Sequence, residues 1–112
     1  MIHSININTI NGCHDLLIST IVRIEGSSNY SKIFIADKLY PLLACKVLPW
    51  FEDNLFGKNF IRTHKSHLVN RQYIQKFCSH ASQVELNSGE TIAVSKRKYT
   101  AVKKMLRSNI IN

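Results

Sequence analysis

Two short runs of this 112-residue chain combine cations with small polar donors. One is Arg62-Thr63-His64-Lys65-Ser66-His67, followed by Asn70-Arg71; the other is Ser95-Lys96-Arg97-Lys98. The first interrupts apolar, strand-like sequence, which suits a loop held against phosphates and base edges. The second carries an electrostatic conflict. Tyr99, Val102, Met105 and Leu106 recur at helical spacing behind Ser95 as N-cap, so three cations are expected in a first turn whose dipole is already positive. Each costs about 0.3–1 kcal/mol at low salt, and folding requires none of them. Cations beside free backbone N–H groups make a phosphate site. The plain alternative is that the long side chains simply splay into water.

Other chemistries fit less well. His64-x-x-His67 has the spacing of two zinc ligands, but a structural site needs four and only Cys78-x-His80 lies near in sequence. No metal or cofactor is expected. His64 or His67 could serve as a general base with Lys65 beside an oxyanion. No Ser or Cys nucleophile motif and no carboxylate pair accompanies them. Two acids in residues 57–112 cannot readily build a two-metal nuclease. No enzymatic activity is expected. The polar stretch Gly26-Ser27-Ser28-Asn29-Tyr30 alone means a turn. Trp50, Phe51, Phe56 and Phe60 read as core around a short helix rather than as a base-stacking platform.

Charge sharpens the choice of partner. Residues 1–56 are net −1, while residues 57–112 carry eleven basic and two acidic groups, within a total of +8. Such an imbalance makes a polyanion the first candidate partner. Length suits one domain spanning 1–112, and 45% hydrophobic residues argue against general disorder. No apolar run is long enough to span a membrane, and no signal peptide is visible at the N-terminus. Cys13, Cys45 and Cys78 are dispersed and odd in number, so they read as buried free thiols in a reducing compartment, the cytoplasm by default.

The elements that must position these groups are mostly strands. Ile5 and Ile7 alternate with Asn6 and Asn8 before an Asn11-Gly12 turn. Ile21-Val22-Arg23-Ile24 and Tyr30-Ser31-Lys32-Ile33-Phe34-Ile35 flank the polar loop. Leu39-Tyr40-Pro41-Leu42 should be an edge strand or end at the proline, which has no N–H for a ladder. Leu48, Phe51 and Leu55 mark a two-turn helix with Pro49 in its first turn and Gly57 ending it. Further strands follow at Phe60, Leu68 and Tyr73. Val84-Glu85-Leu86 and Thr91-Ile92-Ala93-Val94, joined through Asn87-Ser88-Gly89, form the clearest hairpin. The last few residues should fray. The expected fold is mostly β: about ten short strands, a short middle helix and a C-terminal helix.

In order and spacing these segments resemble the LytTR DNA-binding domain, the output module of many bacterial response regulators. Ile21-Val22-Arg23-Ile24-Glu25-Gly26-Ser27-Ser28-Asn29-Tyr30 is similar to its opening strand, with an acidic residue and then Asn-Tyr. Phe60-Ile61-Arg62-Thr63-His64-Lys65-Ser66-His67-Leu68-Val69-Asn70 resembles its Arg-x-His-x-Ser signature. Asn87-Ser88-Gly89 through Val94-Ser95-Lys96-Arg97 resembles its closing hairpin and helix start. His67 departs from the pattern, standing where Tyr or Phe is usual.

The resemblance covers roughly residues 5–106 and implies an elongated domain that contacts DNA through loops. It implies that residues 29–32 enter one major groove, Arg97 the next, and Lys65 the minor groove between. Ser31 and Lys65 vary among such domains and would set sequence preference. The expected DNA-binding set is Asn29, Ser31, Lys32, Arg62, His64, Lys65, Ser66, Lys96, Arg97 and Lys98. The expected function is sequence-specific binding of double-stranded DNA in transcriptional regulation, on paired direct repeats, with a receiver domain absent from this chain as a possible partner. Two alternatives stand beside it. One is an RNA or single-strand binder using Tyr30, Tyr40 or Tyr73 as stacking platforms; the other is a small His-dependent nuclease.

Overall fold

A computed structural model describes residues 3–107 and the backbone of Ile110–Ile111. Fraying is the expectation for the last residues; Ile110–Ile111 instead form a short strand paired parallel with Phe77–Cys78, and residues 108, 109 and 112 lie outside the described set. The strands are β1 (Ser4–Thr9), β2 (Gly12–Leu17), β3 (Ile21–Ser27), β4 (Tyr30–Ile35), β5 (Leu42–Ala44), β6 (Phe60–His64), β7 (His67–Asn70), β8 (Ile74–Cys78), β9 (Gln83–Leu86), β10 (Thr91–Ala93) and β11 (Ile110–Ile111). Helix α1 is Leu48–Asn54 and α2 is Tyr99–Met105. Seven strands form one sheet in the order β2-β1-β5-β4-β3-β7-β6, and β10-β9-β8-β11 form a second. The extents are 44 × 28 × 26 Å, an elongated, mostly-β body as the resemblance implies.

Strand alternation divides the apolar residues between two cores. Ile7, Ile24, Ile33 and Leu68 face α1, which adds Leu48, Phe51 and Leu55. Ile61 and Val69 face the other way, onto Phe77, Val84, Leu86, Val102 and Leu106 of the second sheet and α2. Neighbours Leu68 and Val69 therefore serve opposite cores. A register shift between Ile21 and Arg23 lets Ile21 and Ile24, three apart, share one face.

Four local expectations are corrected. Pro41 precedes β5 rather than ending a strand, and β5 lies inside the sheet between β1 and β4. Phe56 is 86% exposed, because α1 ends at Asn54 and the chain turns away through Gly57 at φ +78°. Cys13 and Cys45 are exposed and Cys78 half-buried, so none is a core residue. Finally, α2 begins at Tyr99, and residues 96–98 form a turn before it. Ser95 caps that turn, its Oγ accepting from the Lys98 N–H at 3.2 Å. The cations thus sit outside the helix, and the dipole conflict inferred from the sequence does not arise in that form.

The two sheets are pinned by a polar contact. Arg23, 6% exposed, donates Nε and Nη2 to Glu90 at 3.1 and 2.8 Å and Nη1 to Glu25 at 3.3 Å. Its guanidinium lies 3.7 Å from the Phe34 ring centre. Within the large sheet Asn70 ties the end of β7 to the start of β3, donating to the Ile21 carbonyl at 2.9 Å while accepting from the Gln72 N–H. Replacing Glu90 by Gln should destabilise the fold by about 1.5–3 kcal/mol, since it leaves a buried guanidinium short of charge. Glu25→Gln, losing one longer contact, should cost less. Urea denaturation of both variants checks the ranking; equal stabilities would show that Glu90 pins nothing.

Candidate nucleic-acid interface

Antiparallel pairing brings the cationic segments to one end of the large sheet. β3 runs into the β3–β4 turn, where Ser27 pairs Tyr30 and Ser28 adopts φ +45°. Glu25 of β3 pairs His67 of β7, so the turn before β7 lies at the same end. That turn is Lys65-Ser66, closed by His64 opposite His67. The two turns are tied directly by the Gly26 N–H, which donates to the Ser66 carbonyl at 2.9 Å. The Ser95 N–H donates to the Thr63 carbonyl at 2.9 Å and so seats residues 96–98 beside β6. A surface groove lined by Arg62, His64, Lys65, Ser95, Arg97 and Lys98 joins the second and third segments.

Each expected residue has a definite place. Asn29, Lys65, Lys96 and Arg97 are exposed, while Lys32, His64, Ser66 and Lys98 are half-buried. Among the described residues, none of these lysines nor Arg97 takes part in an ion pair. Two residues have other tasks. Ser31 is fully buried and donates to the Lys46 carbonyl at 2.7 Å, so it ties β4 to the start of α1 and does not face outward. Arg62 is occupied internally, with Nη1 on Glu52 Oε1 at 2.6 Å and Nε and Nη2 on the His64 and Lys65 carbonyls at 2.8 and 2.6 Å. Sequence reasoning missed Glu52 as its partner, and Arg23 as the pin behind the site. The signal for Arg23 was a cation inside a β-branched run; α1 sits ten residues before Arg62, too far for any local pattern to connect.

The two histidines differ in role. His64 Nδ1 accepts the Ser66 N–H at 3.1 Å and so stiffens the turn. The His67 ring lies 5.3 Å from that of His64, half-buried, with Nδ1 unpartnered. Burial lowers the His67 pKa below 6.5; neighbouring His64 and Arg23 add to this, while Glu25 and Glu90 oppose it. No group of three or more metal-binding side chains occurs among the described residues.

Short turns presenting cations without ion pairs and small polar side chains at one end of the large sheet are the arrangement of a β domain suited to contact a polyanion. The sequence model of the LytTr DNA-binding domain matches residues 11–107, and the chain belongs to that family. It is a DNA-binding family and not an enzyme family; the chain's role is sequence-specific binding of double-stranded DNA in transcription regulation. The fold agrees with the LytTr DNA-binding domain of a response regulator from Bacillus cereus, with a TM-score of 0.76 at 19% identity over 95% of this chain and 98% of that one. No curated protein matches the sequence. No helix among the described residues is long and apolar enough to cross a membrane.

The lowered His67 pKa has a signed consequence. Above pH 6.5 His67 is neutral in both folded and unfolded chains, and its contribution to stability is complete. As pH falls below that value the unfolded state takes up the proton first, so stability declines until the lowered folded value is passed. Urea midpoints measured from pH 7.5 to 5 should therefore fall more steeply for the native chain than for His67→Phe. Parallel curves would exclude His67 as the source.

Proposed function

We propose that the three segments read one face of a duplex, with Asn29 and Lys32 at one major groove, Arg97 in the next and Lys65 in the minor groove between. The observation that carries this reading is the hydrogen-bonded row of the three segments, through Gly26 to Ser66 and Thr63 to Ser95, at a single end of the sheet. Lys32, Lys65, Lys96, Arg97 and Lys98 hold phosphates or reach into grooves, His64 and Ser66 shape the central turn, and Asn29 offers a bidentate amide to a base edge. The domain works as one unit over residues 1–112, in the cytoplasm, without enzymatic activity or cofactor. It pairs on direct repeats, and a receiver domain elsewhere in a longer protein supplies the input.

The competing readings lack a comparable arrangement. Tyr30 opens β4 whereas Tyr40 follows its far end, and the Tyr73 hydroxyl is engaged at 2.6 Å with the Ser19 carbonyl, so no stacking platform forms from the three. His64 spends Nδ1 on the Ser66 N–H, so that nitrogen is not available to donate to a carboxylate as a hydrolytic relay requires.

Five cations on the three segments set an expected salt dependence. Log K for duplex DNA should fall against log[salt] with a slope of about −4.5. Fluorescence anisotropy over a salt series measures it, and a slope near zero would sink the interface as drawn.

Affinity and specificity should separate within residues 96–98. Arg97→Lys keeps the charge but loses the planar fork that pairs with guanine O6 and N7, so it should cost about 1–3 kcal/mol on the preferred duplex and little on a scrambled one. Lys98→Ala should weaken both alike and shrink the slope by about one unit. Equal losses for Arg97→Lys on both duplexes would make Arg97 a phosphate contact only.

A further inference from the structure

We propose that Glu52, on helix α1, is a positioning residue for the Lys65 turn, acting through Arg62 without itself touching DNA. The inference rests on the duplex-binding reading above. Two of the three acceptors of the Arg62 guanidinium are consecutive carbonyls of that turn, those of His64 and Lys65. One rigid fork bonded to both carbonyls fixes the tilt of the two peptide planes, and with them the direction in which the Lys65 side chain leaves the backbone. The third acceptor is Glu52, which fastens the far side of the guanidinium to the helix.

The helix is a firm anchor. Phe51 and Leu55 are buried in the core, and a Cβ on Gly26 would meet the Leu48 Cβ at 3.0 Å, so α1 lies directly against β3 where glycine leaves room. The same Gly26 donates its N–H to the Ser66 carbonyl. The turn is thus held by β3 on one side and, through the Glu52–Arg62 pair, by α1 on the other. The Arg62 side chain is only 15% exposed and its charge is matched by Glu52. It braces the turn and is not a phosphate ligand in this arrangement.

Positioning and simple electrostatics make opposite forecasts here. Glu52 is an acid, 42% exposed, close to a surface meant for a polyanion. If it acts only as a charge, removing it strengthens binding to every duplex. If it positions the turn, removing it weakens binding only where Lys65 must be aimed.

The experiment uses the full chain and a duplex selected by the native protein from a randomised pool, with a scrambled duplex as reference. Glu52→Ala should weaken the selected duplex about tenfold, the order of one misplaced base contact, while binding the scrambled duplex as well as before or slightly better. Glu52→Gln, which can still accept from Arg62, should stay within about threefold of the native chain. Arg62→Lys, which keeps the charge and loses the fork, should show the same selective loss as Glu52→Ala and serves if that variant folds poorly. Amide hydrogen exchange at Ser66, read on DNA-free protein, should quicken in Glu52→Ala. Tighter binding to both duplexes alike, or unchanged Ser66 exchange, overturns the proposal. Failure of the native chain to enrich any duplex from the pool overturns the underlying DNA reading, and is seen before any variant is made.

Discussion

The Arg23–Glu90 pair is the contact on which the rest of the molecule leans. A seven-stranded sheet and a four-stranded sheet share a core only along β3, β7 and β6, and a small interface of that kind could slide. Apolar packing is non-directional, so it holds the sheets together without fixing their relative position. A guanidinium bonded through two nitrogens to one carboxylate and seated over Phe34 is directional, and residues 67 apart in sequence are thereby set face to face. The alignment matters for the site. Residues 96–98 leave β10 of the small sheet, whereas the turns at 28–29 and 65–66 belong to the large one. Only when the sheets are in register do the three segments form a row.

The acids of the chain are placed so that this row stays positive. Four of its seven, Glu25, Glu52, Glu85 and Glu90, are committed to ion pairs with Arg23, Arg62 and Lys76. Asp15 accepts a bond from Asn6 on the β1–β2 hairpin, and Asp37 lies beyond the far end of β4. The cations at the tips are among the twelve Lys and Arg that make no ion pair among the described residues, and they differ from the others in being gathered at one end of the large sheet. The charge that sets affinity for a polyanion is a difference between two arrangements, and counting Lys and Arg alone does not reveal it. Arg62 belongs to the count by type and drops out of it by geometry.

The architecture was legible where the signal is local. Period-two alternation marks β1, apolar and β-branched runs mark β3 and β4, and the spacing of Leu48, Phe51 and Leu55 marks α1, because these patterns record which residues are buried. The Asn87-Ser88-Gly89 turn was equally plain, with Gly89 at φ +91°. Burial set by distant segments was not legible. The resemblance implies Ser31 at the DNA surface, yet it is sealed because Lys46 offers it a carbonyl; Phe56 looks like core and is exposed because α1 stops two residues earlier. The cations at 96–98 were found for a reason that needed correction, since Ser95 caps a turn and the helix opens only at Tyr99. The composition of the site was visible, whereas its internal bracing by Glu52 and Arg23 was a matter of three-dimensional contact.

The order of the row along the molecule is also its order along the chain: the hairpin tip near residue 29, then Lys65, then Arg97. Translation proceeds in that direction, and domains generally fold as units. A nascent chain that has emerged only through β7 holds two thirds of the row but lacks Glu90, so Arg23 keeps only Glu25 as an ion-pair partner and the small sheet does not yet exist. The complete row therefore exists only late in synthesis. Polypeptides cut short by stalled ribosomes or early stop codons would carry the first two turns, joined through Gly26 and Ser66, without the third segment that completes the row.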